Sequence, residues 1–381
     1  MIYLDYNATS PVRPEVRQKM AACLDGNFGN PSSLHAAGRA ARAVVEGVRA
    51  QILTALGDPA GQLVFTSGGT EADNLALKGI ARAFRSKGNH LLVSAVEHHA
   101  VLHAAEALGK EGFQVTIVPV DRSGLIDLQS LEKAITPQTI LISVMHANNE
   151  VGPVQPIEEI SRISRERGVL LHTDAVQSFG KLEVDVHRLG VDFASISSHK
   201  LGGPKGAGAL YLRRGIRVQS ILHGGPHEHQ LRAGTENTPG IVGMGTAVEL
   251  SCAERNQGVL QRVAQLRDRL QAGLQKNLPG IDINGHPTRR LPGTLNVSLK
   301  GCHGETLLMA LDLAGICVST GSACSSGSTE PSHVLAAMGL PSQQIEGSIR
   351  FSLGWGTTEA EIDEVLQKVP PIVEKIRKAS A

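Results

Sequence analysis

The sequence has few of the features that mark nucleic-acid-binding proteins. Only 3% of its 381 residues are aromatic, and 37 lysines and arginines nearly balance 36 aspartates and glutamates, for a formal net charge of +1. Nucleic-acid-binding domains usually carry a basic excess, and single-strand binders stack bases on aromatic side chains. We therefore expect no nucleic-acid partner.

Signals for membranes and secretion are also missing. The sequence contains no run of about 18 uninterrupted apolar residues, so we expect no membrane-spanning segment. The first residues, Met-Ile-Tyr-Leu-Asp-Tyr-Asn, contain neither a basic region nor an apolar signal core. We expect the protein to be cytoplasmic.

Cysteines are few and scattered. They are Cys23, Cys252, Cys302, Cys317 and Cys324, and none forms a C-x-x-C pair. This pattern argues against a disulfide framework and against a cysteine-rich zinc site. Cys324 differs from the others because seven of the ten residues 319–328 are serine or glycine, which is typical of a loop where an exposed thiol can react. For the other four cysteines, we expect core or incidental roles.

Short apolar runs alternate with helix-like stretches through most of the chain. These runs are residues 63–66, 91–96, 115–120, 140–146, 169–173, 193–196 and 209–212. Most are rich in Val, Ile and Leu without strict polar alternation, which is typical of strands covered on both faces. The alternation predicts an α/β domain with a mainly parallel sheet, whose ligands bind beyond the carboxyl ends of the strands.

The pattern changes near residue 240. Residues 241–278 predict one or two long helices, and new short strands follow at 293–299 and 348–353. We therefore expect a second, smaller domain from about residue 255 to the end.

Several segments at the ends of predicted strands could carry chemistry. Ser-Gly-Gly-Thr at 67–70 is either a phosphate-binding turn or an ordinary strand-to-helix turn, and it is neither a G-x-G-x-x-G nor a Walker A motif. Lys200 follows the run 193–196 and could form a Schiff base, with Lys205 as the competing lysine and a surface lysine as the alternative. Asp174 could pair with a pyridinium nitrogen or could cap the next helix.

Histidines offer a weaker signal. His99 and His103 have the i, i+4 spacing of a zinc site, but the glutamate and third ligand of such a site are missing. His223, His227 and His229 lie in a glycine-rich segment that is more typical of a solvated turn. We expect no metal.

Five segments in a fixed order carry a resemblance to a known family. They are residues 67–74, 145–152, 197–206, 232–237 and 322–325. With them the chain resembles, from Tyr3 to Leu353, the NifS/IscS-type (group I) cysteine desulfurases. These are pyridoxal-phosphate enzymes of fold type I in the class V aminotransferase group. The resemblance implies a large domain over residues 15–254 with a mainly parallel seven-stranded sheet. It also implies a small α+β domain of residues 1–14 and 255–381, with a mobile loop, at about 319–333, that carries Cys324.

The resemblance also implies roles for individual residues. The catalytic residues would be Lys200, Cys324 and His98. The residues that bind pyridoxal phosphate would be Gly69, Thr70, His98, Asn149, Asp174, Gln177, Ser197, Ser198, His199, Lys200 and Thr235. Thr235 would reach the cofactor of the neighbouring subunit in a homodimer. Asn149 and Arg350 would bind the substrate, with Arg350 paired to its carboxylate.

A function follows from the resemblance. The enzyme would remove sulfur from L-cysteine, giving L-alanine and a persulfide on Cys324. A NifU/IscU-like scaffold or another sulfur acceptor would then take the sulfur, for iron–sulfur cluster assembly or other sulfur transfer. The alternatives are a selenocysteine lyase, another class V aminotransferase or lyase, and a persulfide carrier without turnover.

Overall fold

The structure is a computed structural model, and it describes residues 1–320 and 331–380. Its strands are β1 (Ile2–Tyr3), β2 (Gln62–Thr66), β3 (His90–Ser94), β4 (Gln114–Val118), β5 (Thr139–Ser143), β6 (Leu170–Asp174), β7 (Phe193–Ser197), β8 (Gly208–Leu212), β9 (Ile281–Asn284), β10 (Thr294–Leu299), β11 (Ile316–Cys317) and β12 (Ser348–Ser352).

Helices connect and cover these strands. They are α1 (Pro14–Gly26), α2 (Ala36–Ala55), α3 (Gly69–Ala83), α4 (His99–Lys110), α5 (Leu128–Ala134), α6 (Ile157–Glu166), α7 (Val186–Leu189), α8 (Thr238–Asn256), α9 (Val259–Asn277), α10 (Gly304–Leu313), α11 (His333–Ala337), α12 (Ser342–Glu346) and α13 (Glu359–Ser380). In the segment 241–278 there are two helices, because the chain turns through Gly258 at φ +79°.

The central sheet has seven strands in the order β2-β8-β7-β6-β5-β3-β4. Its strands run parallel except β8, which is antiparallel to both β2 and β7. The predicted α/β fold with a mainly parallel seven-stranded sheet is therefore confirmed. Since β6 and β7 are parallel neighbours, Asp174 and Ser197 both lie at the same edge of the sheet.

Burial follows the apolar runs, with one exception. Strands β3, β5, β7 and β8 are buried along their whole length, and helices pack on the sheet through buried Val, Leu and Ile side chains. Each such side chain contributes about 1.5–3 kcal/mol. The run 115–120 is not covered on both faces, because β4 is an edge strand and Ile117 is 49% exposed.

A second sheet lies in the later part of the chain. Strands β9, β10 and β12 are antiparallel, and β1 pairs with β11 beside them. A separate apolar cluster joins Ile2 and Leu4 to buried residues between Val263 and Val373. The division into domains at 15–254 stays a prediction. No helix in residues 1–320 and 331–380 is long and apolar enough to cross a membrane.

Candidate active site

A cavity of about 210 Å³ opens at the carboxyl ends of β6 and β7. Most residues with a predicted site role line it. They are Gly69, Thr70, His98, Asn149, Asp174, Gln177, Ser197, His199 and Lys200, together with Ala8, Asp73, Met145 and Val176. The parallel sheet brings these side chains together from segments that are far apart in sequence.

One end of the cavity has the features of an anion site. Helix α3 begins at Gly69, and the first N–H groups of a helix have no partner inside the helix. A β-carbon on Gly69 would lie 2.7 Å from Val176 Cγ2, so glycine keeps this approach open. The Ser197 hydroxyl is buried and has no hydrogen-bond partner among the described residues. Backbone donors, an orphaned hydroxyl and the helix dipole together suit a phosphate.

His98 stands at the start of α4, beside this cavity. Its Nδ1 accepts a hydrogen bond from the Ala100 N–H at 3.1 Å, so the ring proton of the neutral form lies on Nε2. Burial and the positive charge of Lys200 lower the pKa of His98 to about 4. The ring is therefore neutral near pH 7, so it can accept a proton and then pass it on.

Asp174 ends β6 inside the protein, with only 5% of its surface exposed. Its Oδ1 accepts from the Val176 N–H at 2.8 Å. Burial raises the pKa of Asp174 to about 6, while that N–H and the charge of Lys200 act in the opposite direction. Burial and the charge of Asp174 also raise the pKa values of the buried carboxyls of Asp73 and Glu97. A cationic ring nitrogen would offset this excess of buried acid.

Lys200 ends the short turn that follows β7. Its amine donates to the carbonyl oxygens of Asn7 at 2.6 Å and Ala8 at 2.8 Å. Ser10 holds the turn from the same side, because its hydroxyl donates to the Lys200 carbonyl at 3.1 Å. Lys205, the competing lysine in the sequence, is exposed and does not line the cavity.

Arg350 lies in β12 with 1% of its surface exposed. Its Nη1 donates to the Asn149 carbonyl at 3.1 Å, and its Nη2 lies 2.7 Å from Asp5 Oδ1. Arg350 Nε is buried without a partner in the described ranges. Arg350 does not line the 210 Å³ cavity itself, but Asn149 connects the two.

Two residues near the cavity, Asn7 and Lys181, were not predicted from the sequence. Gln177 donates to the Asn7 carbonyl at 2.9 Å and accepts from the Lys181 amine at 3.0 Å. The segment 3–9 was part of the resemblance, but no role for Asn7 followed from it. Nothing in the local sequence distinguishes Lys181 from a surface lysine.

Two described residues with a predicted cofactor role, Ser198 and Thr235, do not line the cavity. Ser198 is fully buried, and its hydroxyl faces Gly203, where a β-carbon would lie 2.0 Å from Ser198 Oγ. Thr235 is exposed and lies outside the cavity lining. Cys324 lies outside the described residues.

The residues at the cavity fit pyridoxal phosphate. The start of α3 with the orphaned Ser197 hydroxyl suits the phosphate, and Asp174 suits a protonated ring nitrogen. The Lys200 amine reaches the same space and suits the aldehyde.

Comparisons with known proteins agree with this fit. Residues 2–365 match the aminotransferase class-V family. A protein of Dictyoglomus turgidum named cysteine desulfurase IscS is 48% identical, over 100% of this chain and 96% of its own length. A second protein named cysteine desulfurase IscS, from Methanosarcina thermophila, is 49% identical, over 100% of this chain and 93% of its own length. A solved structure of a NifS-like protein superposes with a TM-score of 0.92 at 38% identity, over 98% of this chain and 99% of its own. The chain therefore belongs to the aminotransferase class-V family, and within it to the cysteine desulfurases, enzymes that depend on pyridoxal phosphate.

Proposed function

We propose that this protein removes the sulfur atom of L-cysteine, giving L-alanine and a persulfide on Cys324. The observation that carries the proposal is that Lys200, Asp174 and the start of α3, which would bind the phosphate, line the same cavity. Asn149 belongs to the same lining and contacts Arg350, so Arg350 would bind the carboxylate of an amino acid beside it.

Named residues would hold the cofactor and supply the proton transfers. When bound, pyridoxal phosphate accepts the electrons of a bond that breaks at the substrate's α-carbon. Lys200 would hold the aldehyde and, once released by the substrate's amine, take the proton from the α-carbon. Besides burial, the charge of Lys200 lowers the pKa of the His98 imidazole, so the two side chains lie close together. His98 can therefore serve in the same proton transfers.

The remaining residues would bind the substrate and collect its sulfur. Arg350 would pair with the carboxylate, in place of or together with Asp5. The thiolate of Cys324 would form a bond to the substrate sulfur as the carbon–sulfur bond breaks. This leaves the persulfide on the protein and the carbon skeleton as L-alanine.

The proposal extends to the assembly. The exposed position of Thr235 is compatible with contact to the cofactor of a second subunit in a homodimer. A NifU/IscU-like scaffold or another sulfur acceptor would take the persulfide sulfur, for iron–sulfur cluster assembly in the cytoplasm. Residues 15–254 would form the domain that binds the cofactor. Residues 1–14 and 255–381 would form the domain that carries Cys324.

The test compares the wild type with Cys324→Ala, each loaded with pyridoxal phosphate. With L-cysteine and a reductant, the wild type should release sulfide and alanine in equal amounts, and without reductant the peptide containing Cys324 should gain one sulfur atom. Cys324→Ala should lose both signals. Cys252→Ala is the matched control, because that half-buried thiol on α8 does not line the cavity.

Two results would favour the alternatives. Unchanged alanine formation in Cys324→Ala would indicate an aminotransferase or lyase. Release of selenide from selenocysteine with little sulfide from cysteine would indicate a selenocysteine lyase.

A further inference from the structure

An ion pair joins the first turn of α3 to the segment 228–235. Arg232 Nε donates to Glu71 Oε1 at 2.8 Å, and Arg232 Nη2 donates to Glu71 Oε2 at 3.3 Å. Glu71 Oε2 also accepts from the Ser67 N–H at 2.8 Å. The side chains of Arg232 and Glu71 are only 21% and 17% exposed, so solvent screens this pair less than a pair on the surface.

The Glu71 carboxylate lies at the site proposed for the cofactor's phosphate. That site consists of the start of α3 and the buried, orphaned Ser197 hydroxyl, and Glu71 belongs to the first turn of the helix. Burial opposes a charge on Glu71, but the hydrogen bonds from Arg232 and Ser67 outweigh it and hold the pKa of the carboxyl below its usual value. The start of a helix attracts a carboxylate and a phosphate alike, so Glu71 without a cation beside it would repel the phosphate.

A strained turn fixes Arg232 in this position. Residues 228–230 have φ values of 45°, 56° and 66°, in the left-handed region that residues other than glycine rarely adopt. The buried Glu228 carboxylate holds the turn, since it accepts from the Arg49 guanidinium twice and from the Phe65 N–H, each at 2.8 Å. Phe65 belongs to β2, which leads into α3. The turn is therefore attached to the same stretch of chain that forms the phosphate site.

Arg232 is the cation that balances Glu71. Within residues 1–320 and 331–380, Glu71 forms an ion pair with Arg232 alone. Hydrogen bonding to Glu71 raises the pKa of Arg232 against burial, and the charges of Glu228 and Glu236 act in the same direction. Glu228 has its own cation in Arg49.

We propose that Arg232 is a positioning residue for the phosphate site: it holds and neutralises the Glu71 carboxylate, so that the start of α3 stays open to a phosphate dianion. Arg232 acts through Glu71 and need not touch the phosphate. The inference rests on the place given to the cofactor's phosphate in the proposed function.

The experiment titrates the full chain, freed of cofactor, with pyridoxal phosphate and separately with inorganic phosphate. The titrations are made at pH 8, where a phosphate monoester is a dianion. Arg232→Gln leaves Glu71 charged without its cation, so we expect both dissociation constants to rise about tenfold. Arg82→Gln is the matched control: Arg82, in the last turn of α3, forms the same two-bond pair with Glu111, and its loss should leave both constants unchanged.

A double variant separates neutralisation from direct contact. Glu71→Gln combined with Arg232→Gln removes both charges, and we expect both dissociation constants to return to within about threefold of the wild type. If Arg232 touched the phosphate, or served only to support the fold, the double variant would bind as weakly as Arg232→Gln. That result would overturn the inference.

Glu71→Gln alone keeps the test open if Arg232→Gln does not fold. Its amide can still accept from Ser67 and Arg232, and the charge of Arg232 is then no longer neutralised. We expect both dissociation constants to fall several-fold, and unchanged or weaker binding would overturn the inference.

The outcomes also separate this inference from the proposed function. Unchanged affinity for both ligands in Arg232→Gln would overturn the role of Arg232, whatever the turnover with L-cysteine. A wild type that forms no alanine would refute the proposed function, whereas loss of affinity in Arg232→Gln and its recovery in the double variant would still support the role of Arg232.

Discussion

Arg350 and Asp5 form an ion pair inside the protein, with Nη2 2.7 Å from Oδ1. The Arg350 side chain is 1% exposed and that of Asp5 is 16% exposed. The substrate carboxylate and Asp5 would thus compete for the same guanidinium.

Replacing Asp5 by Asn should reveal this competition. We expect the KM for L-cysteine to fall, because the guanidinium is no longer neutralised. The free energy of unfolding should drop by about 1–3 kcal/mol, since asparagine keeps one acceptor but loses the charge. Steady-state kinetics and denaturant unfolding measure the two effects. A higher KM with normal kcat would indicate instead that Asp5 orients Arg350 for the substrate.

Asp174→Asn should separate cofactor binding from turnover. Lys200 can still hold the aldehyde, so the visible absorbance of the loaded protein should persist. Turnover should fall by at least about 100-fold, because the ring nitrogen loses its charged partner. Asp127→Asn is the control: Asp127 caps α5 through the Gln129 and Ser130 N–H groups, far from the cavity, and asparagine caps equally well. Turnover within a few-fold of wild type in Asp174→Asn would refute this role.

Removing the Ser197 hydroxyl should stabilise the cofactor-free protein and weaken the binding of the cofactor. Because it is buried without a partner, Ser197→Ala should raise the free energy of unfolding of the cofactor-free protein by about 1 kcal/mol. The same change should weaken pyridoxal-phosphate binding about tenfold, since it removes a donor to the phosphate.

Ser164→Ala is the matched comparison for that experiment. Its buried hydroxyl donates to the Ser161 carbonyl at 3.0 Å, so its loss should lower stability by about 1 kcal/mol and leave cofactor affinity unchanged. Calorimetry measures the stability, and a fluorescence titration measures the affinity for the cofactor. Equal cofactor affinity in Ser197→Ala and wild type would exclude Ser197 from the phosphate site.

Glu150 should make stability depend on pH. Burial raises its pKa to about 7, against a hydrogen bond from the Ser332 hydroxyl at 2.5 Å and the charge of Arg350. The folded protein therefore keeps a proton on Glu150 that the unfolded chain releases above about pH 4.5, so this group destabilises the fold as pH rises from 4.5 to 7.

Glu150→Gln, which mimics the protonated acid, should remove that penalty. At pH 8 we expect a gain of up to about 3 kcal/mol in the free energy of unfolding, and the gain should vanish below about pH 4.5. Urea unfolding at several pH values tests this. Glu374→Gln removes an exposed carboxylate and should change stability by at most about 0.5 kcal/mol. A loss of stability at pH 8 in Glu150→Gln would contradict the prediction.

The sequence predicted the features that depend on local pattern. The apolar runs predicted the strands. The polar residues just after them predicted the residues of the cavity, because the carboxyl ends of parallel strands lie at the same edge of the sheet. The place of β4 at the edge of the sheet could not be predicted, since an edge strand rich in Val and Ile has a local pattern similar to that of a central one.

The contacts of Asn7, Lys181 and Asp5 could not be predicted in this way. Lys200 and Asn7 are 193 positions apart, and Arg350 and Asp5 are 345 apart. Such pairs arise only from the tertiary arrangement of the two sheets. Lys181 follows a glycine, and Asp5 comes after a strand of two residues. Neither position belongs to a periodic pattern from which its partners could be predicted.

The segment 5–10 joins parts of the molecule that are synthesised at very different times. Its residues contact Lys200 and His199 near the middle of the chain, and Asp5 and Asn7 also contact Ser352 and Arg350 in β12. On the ribosome, the central sheet can be complete while the partner strand β12 has not yet emerged. A nascent chain at that stage lacks Arg350, the residue proposed to bind the substrate carboxylate, so the protein should acquire activity only after β12 has joined the segment 5–10.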